Sequence, residues 1–326
     1  LKEKTMKLKN LSAAFFAAVM VVLVVLASGI VAQADTITHP NASGVGSTTI
    51  NMDFVNVDNA GNTADDTTCG AVGYNYRIGT YEVTAEQWAA VLAAAPGVGN
   101  AGYWSGSQPT AGTSWYEAAK FCNWLTTGDV NSGVYNTNTW AIMDHQTAGM
   151  TYGTAYFIPT EDEWYKAAYY DPAKAGGAGY WDYPTRSDTA PTATTVANQL
   201  GVAPGSANYA EVVGSPTNVG AYSLKPSTSA YGTFDQGGNV WEWNEALIGF
   251  SSSSRGLRGG SFDDFSDIFL AASTRWGYGH LDIDPGYPAY ENNDIGFRVA
   301  SVPEPGSITL LVCGAIAGLI WRRCRK

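Results

Sequence analysis

Around Ile50-Asn51-Met52-Asp53-Phe54-Val55 apolar and polar residues alternate, the period-two pattern of a half-buried strand. Residues 35–70 are otherwise rich in Asn, Thr, Gly and Asp and are read as one or two strands with loops. Tyr76-Arg77-Ile78-Gly79 reads as a further strand and turn. The period then lengthens. Thr84 stands three residues before Gln87, the spacing of a capping box, and Trp88, Val91 and Leu92 share the face of the helix that follows. Ser114 and Glu117 repeat the box ahead of Ala118, Phe121, Cys122 and Leu125. Thr160 and Glu163 repeat it ahead of Trp164, Ala167 and Ala168. Three short helices are therefore predicted. The stretch 128–153 reads as polar loop. Residues 171–233 show no helical period, and a loop of that length is usually functional or disordered. Aromatic and Gly signals return from Asp235 to Val299, and no internal repeat is visible.

The two ends carry a different pattern. Lys2, Lys4, Lys7 and Lys9 precede an apolar run from Leu11 to Val31, and Ala32-Gln33-Ala34 has the small-x-small form a signal peptidase cuts. Residues 1–34 are read as a signal peptide, with Asp35 as the first mature residue; the alternative is an uncleaved membrane helix. At the other end, Val302-Pro303-Glu304-Pro305 is followed by an apolar stretch from Ile308 to Trp321 and by Arg322, Arg323, Arg325 and Lys326. That order of motif, short apolar helix and basic end resembles the PEP-CTERM sorting signals of Gram-negative bacteria. The resemblance implies an exosortase-type enzyme as partner and contact of the tail (302–326) with the inner membrane through a short transmembrane helix. It also implies cleavage near the motif, and export to the envelope, the cell surface or a secreted matrix. An ordinary tail anchor is the alternative.

Charge narrows the partners. Setting aside Glu3, Glu304 and the four basic residues at each end leaves 27 acidic and 10 basic residues, a net charge near −17. Such a body repels nucleic acid and anionic membranes, and suits calcium or a neutral ligand. Cys69 and Cys122 are the two cysteines of the body; an oxidising compartment permits a bridge between them, and the sequence leaves this open.

Several blocks in order point to one family. They are Gly79-Thr80-Tyr81-Glu82-Val83-Thr84, Thr113-Ser114-Trp115-Tyr116-Glu117-Ala118-Ala119, Phe121-Cys122-Asn123-Trp124-Leu125 and Ile158-Pro159-Thr160-Glu161-Asp162-Glu163-Trp164. Gly238-Asn239-Val240-Trp241-Glu242-Trp243, Arg258-Gly259-Gly260-Ser261-Phe262 and Ile295-Gly296-Phe297-Arg298-Val299 complete the set. Over residues 74–301 the chain resembles the sulfatase-modifying-factor domain of formylglycine-generating enzymes, with 35–73 as an N-terminal strand and loop segment of the same domain. The resemblance implies an α+β, loop-rich variant of the C-type lectin fold, with short antiparallel strands, a few short helices and calcium in the loops. Trp115, Trp124, Trp164, Trp241 and Trp243 are read as core.

The family also implies the site residues. One calcium is held by positions matching Asp235, Gly238, Val240 and Glu242; carboxylates and freed carbonyls are what this hard cation takes. The alternative is Glu242 paired with Arg or backbone amides. A second calcium would fall near Asn208, Tyr209, Gly220 and Tyr222, but Gly220 stands where the family has an acid. Formylglycine formation uses two thiolates for copper(I) after the Gly-Gly-Ser block. Asp264 stands at the first position and Phe269 near the second, and no cysteine occurs between Cys122 and Cys313. Hard carboxylates do not replace thiolates for that soft ion, so copper is not expected. A related branch uses histidine-held iron; here His39, His145 and His280 are scattered, and His145 reads as an exposed loop residue. Arg258, Arg275 and Arg298 either line a pocket or pair with Asp263, Asp264 or Asp267. The expected function is an exported, calcium-stabilised module that binds a glycan, peptide or matrix component. The alternative is a metal-dependent oxidoreductase of the same family with altered ligands.

Overall fold

The structure is a computed structural model that describes residues 33–248, 254–276 and 287–303. The apolar N-terminal run, the C-terminal apolar and basic segment, and His280 lie outside the described residues. Among the described residues no helix is long and apolar enough to cross a membrane.

The alternating segment forms the long strand β2 (Ser47–Val57), whose even-numbered Ile50, Met52 and Phe54 are buried. It pairs antiparallel with β1 (Gln33–Pro40) on one side and β3 (Tyr76–Gly79) on the other. The sheet continues through β12 (Ala300–Pro303) to β4 (Thr154–Phe157), giving the order β1-β2-β3-β12-β4, antiparallel throughout. The last described strand is thus an interior one, between β3 and β4. Pro303 sits opposite Thr154, so the Val-Pro start of the sorting motif is already part of the sheet. At the other end the expected cleavage point after Ala34 falls inside β1. Asp35, next in line, is held by Arg77 through two guanidinium N–H donors at 2.8 and 2.7 Å and by the Tyr156 hydroxyl at 2.8 Å.

All three capping boxes form as predicted. They open α1 (Ala85–Ala94), α2 (Trp115–Thr127) and α4 (Glu161–Tyr169), with Thr84, Ser114 and Thr160 accepting from the amides of Gln87, Glu117 and Glu163. Each box closes two orphan amides at the helix start. The stretch read as polar loop contains a further helix, α3 (His145–Tyr152), capped by Asp144. Its residues are mostly polar, so hydrophobic period could not reveal it. The helices supply Trp88, Phe121, Trp124 and their neighbours to one core beneath the sheet, where Trp88 stacks on Phe121 at 5.6 Å. The five tryptophans read as core are all buried.

A second sheet carries the site region. The strand β9 (Trp241–Leu247) pairs antiparallel with β10 (Arg255–Arg258) and parallel with β11 (Ile295–Gly296). Residues 171–233 contain only short pieces, the pairs β5 (Tyr170–Asp171) with β6 (Gly179–Tyr180) and β7 (Thr192–Ala193) with β8 (Ser206–Ala207). Side chains order this stretch by bonding backbone: the Tyr209 hydroxyl donates to Pro191 O at 2.7 Å and the Tyr222 hydroxyl to Thr194 O at 2.6 Å.

Candidate functional site

Asp235, Gly238 and Val240 lie on the loop that feeds β9, and Glu242 is on β9 itself. The loop reverses through left-handed Asp235, Gly238 and Asn239, with φ of 59°, 85° and 65°. Gly238 is demanded twice over: the backbone is left-handed, and a Cβ would stand 2.3 Å from Asn208 O. Val240 is a fully buried apolar side chain. Glu242 has both carboxylate oxygens taken. Arg298 donates to them through two nitrogens at 2.6 Å each, and the Trp164 indole adds a third bond at 2.6 Å. Arg298 spends its remaining donors on Gly79 O and Phe234 O, both at 2.9 Å. Asp235 accepts the Gly220 amide at 2.6 Å, and burial pushes its acid up to about 6. Glu82 lies against the same group. Burial first, then the charges of Asp235 and Glu242, push its acid well up; one oxygen accepts from Asn239 Nδ2 at 3.0 Å and the other has no partner.

Three carboxylates therefore surround one guanidinium, and the network ties the loop to β3 and to the chain before β12. In this arrangement the Glu242 carboxylate does not fit a calcium ligand, because a cation there would have to displace Arg298 from a bidentate pair. The second family position differs. Asn208 is buried, its Oδ1 has no partner, and its Nδ2 donates to Ser215 O at 2.9 Å. A buried acceptor without a donor fits a cation or an ordered water. Among the described residues no group of three or more His, Cys, Asp or Glu is disposed to hold a metal.

Where the family keeps thiolates, the Gly-Gly-Ser turn is closed by acids. Ser261 N donates to Asp264 Oδ2 at 2.6 Å, and Ser261 Oγ lies 3.1 Å from the same oxygen and 3.3 Å from Asp294 Oδ2. Burial pushes the Asp264 acid up to about 7 and that of Asp294 to about 6. Phe269 stacks on Trp276 at 5.7 Å, which meets Trp241 edge-on at 4.6 Å. Cys69 and Cys122 are both free and buried, so the bridge left open by the sequence is not formed. Cys122 belongs to the main core, while Cys69 packs with Trp164, Tyr165 and Tyr169.

Two expectations are corrected here. Arg258 and Arg275 do not reach Asp263, Asp264 or Asp267; both grip Glu161, from Nε at 2.8 and 2.5 Å, and both donate to Cys69 Sγ, at 3.5 and 3.6 Å. The pairing is nonlocal, and the Glu161-Asp162-Glu163 run at a helix start had read only as capping. His145 is not an exposed loop residue. It is buried on α3, stacked on Phe157 at 3.5 Å, with a carboxylate at each ring nitrogen: Glu163 on Nδ1 and Glu245 on Nε2, both at 3.2 Å. Burial lowers its pKa, but the two carboxylates outweigh this and hold it up to about 10, which favours the imidazolium. Beside these groups a cavity of about 370 Å³ is lined by Cys69, Thr160, Glu161, Asp162, Glu245 and Arg275, among others.

Comparison with known proteins decides the family. The model of the sulfatase-modifying factor enzyme 1-like domain matches residues 58–302. The chain belongs to this family. The match begins upstream of residue 74, within the segment expected to join the same domain, and runs from there through β3 to Val302 in β12. A second model, the PEP-CTERM protein-sorting motif, matches residues 301–326. That motif indicates recognition by an exosortase-type sorting system and export to the cell envelope or surface. No curated protein matches the chain. Among solved structures, Treponema denticola variable protein 1 is similar at 23% identity and a TM-score of 0.50, with 83% of this chain and 99% of that one covered. The crystal structure of CarF aligns at 20% identity, TM-score 0.48, over 76% of this chain and 97% of its own. PvdO from Pseudomonas aeruginosa aligns at 18% identity and TM-score 0.43, over 83% and 91%. The first of these, at under 25% identity, speaks to the fold alone.

Proposed function

We propose that this exported member of the sulfatase-modifying-factor family works as a binding module for an extracellular ligand and not as a copper oxidase. The observation that carries the reading is the carboxylate at Asp264, in a chain with no cysteine between Cys122 and Cys313. The turn that would present a soft ligand pair presents Asp264, and Asp294 reaches it from the segment before β11; both are drawn into bonds with Ser261. Copper(I) takes thiolates and thioethers, and hard oxygen donors do not substitute for them. The aromatic groups beside the turn and the strongly acidic, lysine-poor body support a ligand of neutral or cationic character: a glycan, a peptide or a component of a secreted matrix.

Calcium belongs to this reading as a structural ion. Around the Asp235, Gly238, Val240 and Glu242 positions it would be held by backbone carbonyls and by Asp235, leaving the Glu242–Arg298 pair intact. The unpartnered Asn208 Oδ1 supports a ligand from the neighbouring loop. Export to the envelope before processing follows from the sorting motif, and the signal peptide at residues 1–34 completes the route.

The test is a glycan and peptide array probed with the purified protein, in calcium and in excess chelator. Saturable binding to a defined ligand class, with a melting temperature lowered by chelation, is expected. Binding to nothing on the array, together with oxidation of a cysteinyl peptide, would replace this reading by the oxidoreductase one.

A further inference from the structure

Between α2 and α3 the chain folds a loop over residues 131–143 that the site described above does not use. A concave surface of about 420 Å³ opens there, lined chiefly by Asn131, Ser132, Asn136, Asn138, Met143 and Tyr152. That volume lies within the range of about 300–1,000 Å³ usual for small-molecule sites. Resting on the binding-module reading, we propose that this surface binds a neutral mono- or disaccharide.

Charge gives the first argument. The body is strongly acidic, yet no residue lining this surface carries a carboxylate, ammonium, guanidinium or imidazole group. An ionic ligand would find no countercharge. The polar side chains that do line it carry carboxamides and hydroxyls, which both donate and accept. Sugar hydroxyls need that dual partner. The Asn138 carboxamide is exposed and has no hydrogen-bond partner among the described residues. Ile142, Met143 and the Tyr152 ring, all partly exposed, supply an apolar wall for the C–H face of a pyranose.

Rigidity gives the second. The loop is pinned from within: Asn136 N donates to Ala141 O at 3.0 Å, and Met143 N to Val134 O at 2.9 Å. Asn136 Oδ1 accepts the amides of Asn138 and Thr139 at 3.0 and 3.1 Å. From below, fully buried Asn123 on α2 donates to Val130 O and Tyr135 O at 3.2 and 2.8 Å, and accepts the Tyr135 amide at 2.9 Å. The Tyr152 hydroxyl is anchored on Gly133 O at 3.3 Å. A surface already held in place spends little binding energy on ordering, which weakly adhesive sugar ligands require.

The experiment titrates the purified protein with glucose, galactose, mannose, N-acetylglucosamine and their disaccharides by calorimetry, with glucuronate as the charged comparator. Saturable binding of at least one neutral sugar is expected. Asn138→Ala should weaken it about fivefold, the size of one lost hydrogen bond, with the melting temperature unchanged. Tyr152→Phe, which keeps the ring, should retain most of the affinity, and Tyr152→Ala should not. No saturable binding of any neutral sugar, equal affinity in Asn138→Ala, or glucuronate binding as tightly as glucose would each overturn the assignment. If sugars fail while the protein still binds a peptide on the array, this site is refuted and the binding-module reading stands.

Discussion

Glu242 and Arg298 meet across 56 residues of sequence and are both fully buried. Such a pair contributes little net stability over an apolar substitute, but removing one partner strands the other charge. Glu242→Gln is expected to cost about 3–5 kcal/mol in urea unfolding. The double change Glu242→Gln, Arg298→Met should recover part of it, and additive losses would show that the two side chains are not coupled. His145 sets a pH dependence. Its folded-state pKa stands at about 10 against an ordinary 6.5, because Glu163 and Glu245 flank the ring. The folded state thus holds the proton more tightly, and the stability this brings is full below about 6.5 and lost as pH rises through about 10. His145→Gln should remove that slope from a comparison of urea midpoints at pH 6 and pH 10. A variant as pH-sensitive as the parent over this window would contradict the assignment of the imidazolium. The sequence carried no sign of this cluster, because Glu163 and Glu245 approach His145 from other elements and neither spacing nor period encodes that.

Helix starts were legible for the opposite reason. A capping box is local: Thr160 and Glu163 satisfy each other's orphan amides within one turn, so the pattern reads directly from four residues. Thr160→Ala should lower stability by about 1 kcal/mol, measured by the shift in denaturation midpoint; no shift would mean that α4 is held by packing alone. Strand β2 was legible through its period, whereas α3 was not, since its polar residues give no face. The loop into β9 was half legible. Its Gly-Asn-Val-Trp-Glu-Trp block marked it as special, but whether Glu242 faces a cation or an arginine is decided by Arg298 from a distant segment. Gly238→Ala should destabilise by more than about 1 kcal/mol, because it forces both a left-handed backbone and a clash with Asn208 O. A neutral effect on the midpoint would count against the loop geometry.

At the scale of the molecule, the same scaffold that brings Asp235 beside Glu242 also joins the domain directly to its sorting motif. Ser301 takes a bond from Arg77 Nε at 3.0 Å, and Val302 and Pro303 complete the sheet. Processing on the C-terminal side of Pro303 therefore leaves β12 whole. The family was legible because its blocks are contiguous; the substitution at Asp264 was legible because one residue type is missing from a long stretch. The structure adds that the acid is held by Ser261 and buried, which fixes what the turn presents. The most direct test of the account is a copper(I) titration of the purified protein, read by competition with a chromogenic chelator and by oxygen uptake on a cysteinyl peptide. The expected result is no stoichiometric copper and no oxygen consumed above the protein-free rate. One copper per chain with conversion of the peptide cysteine to formylglycine would contradict it.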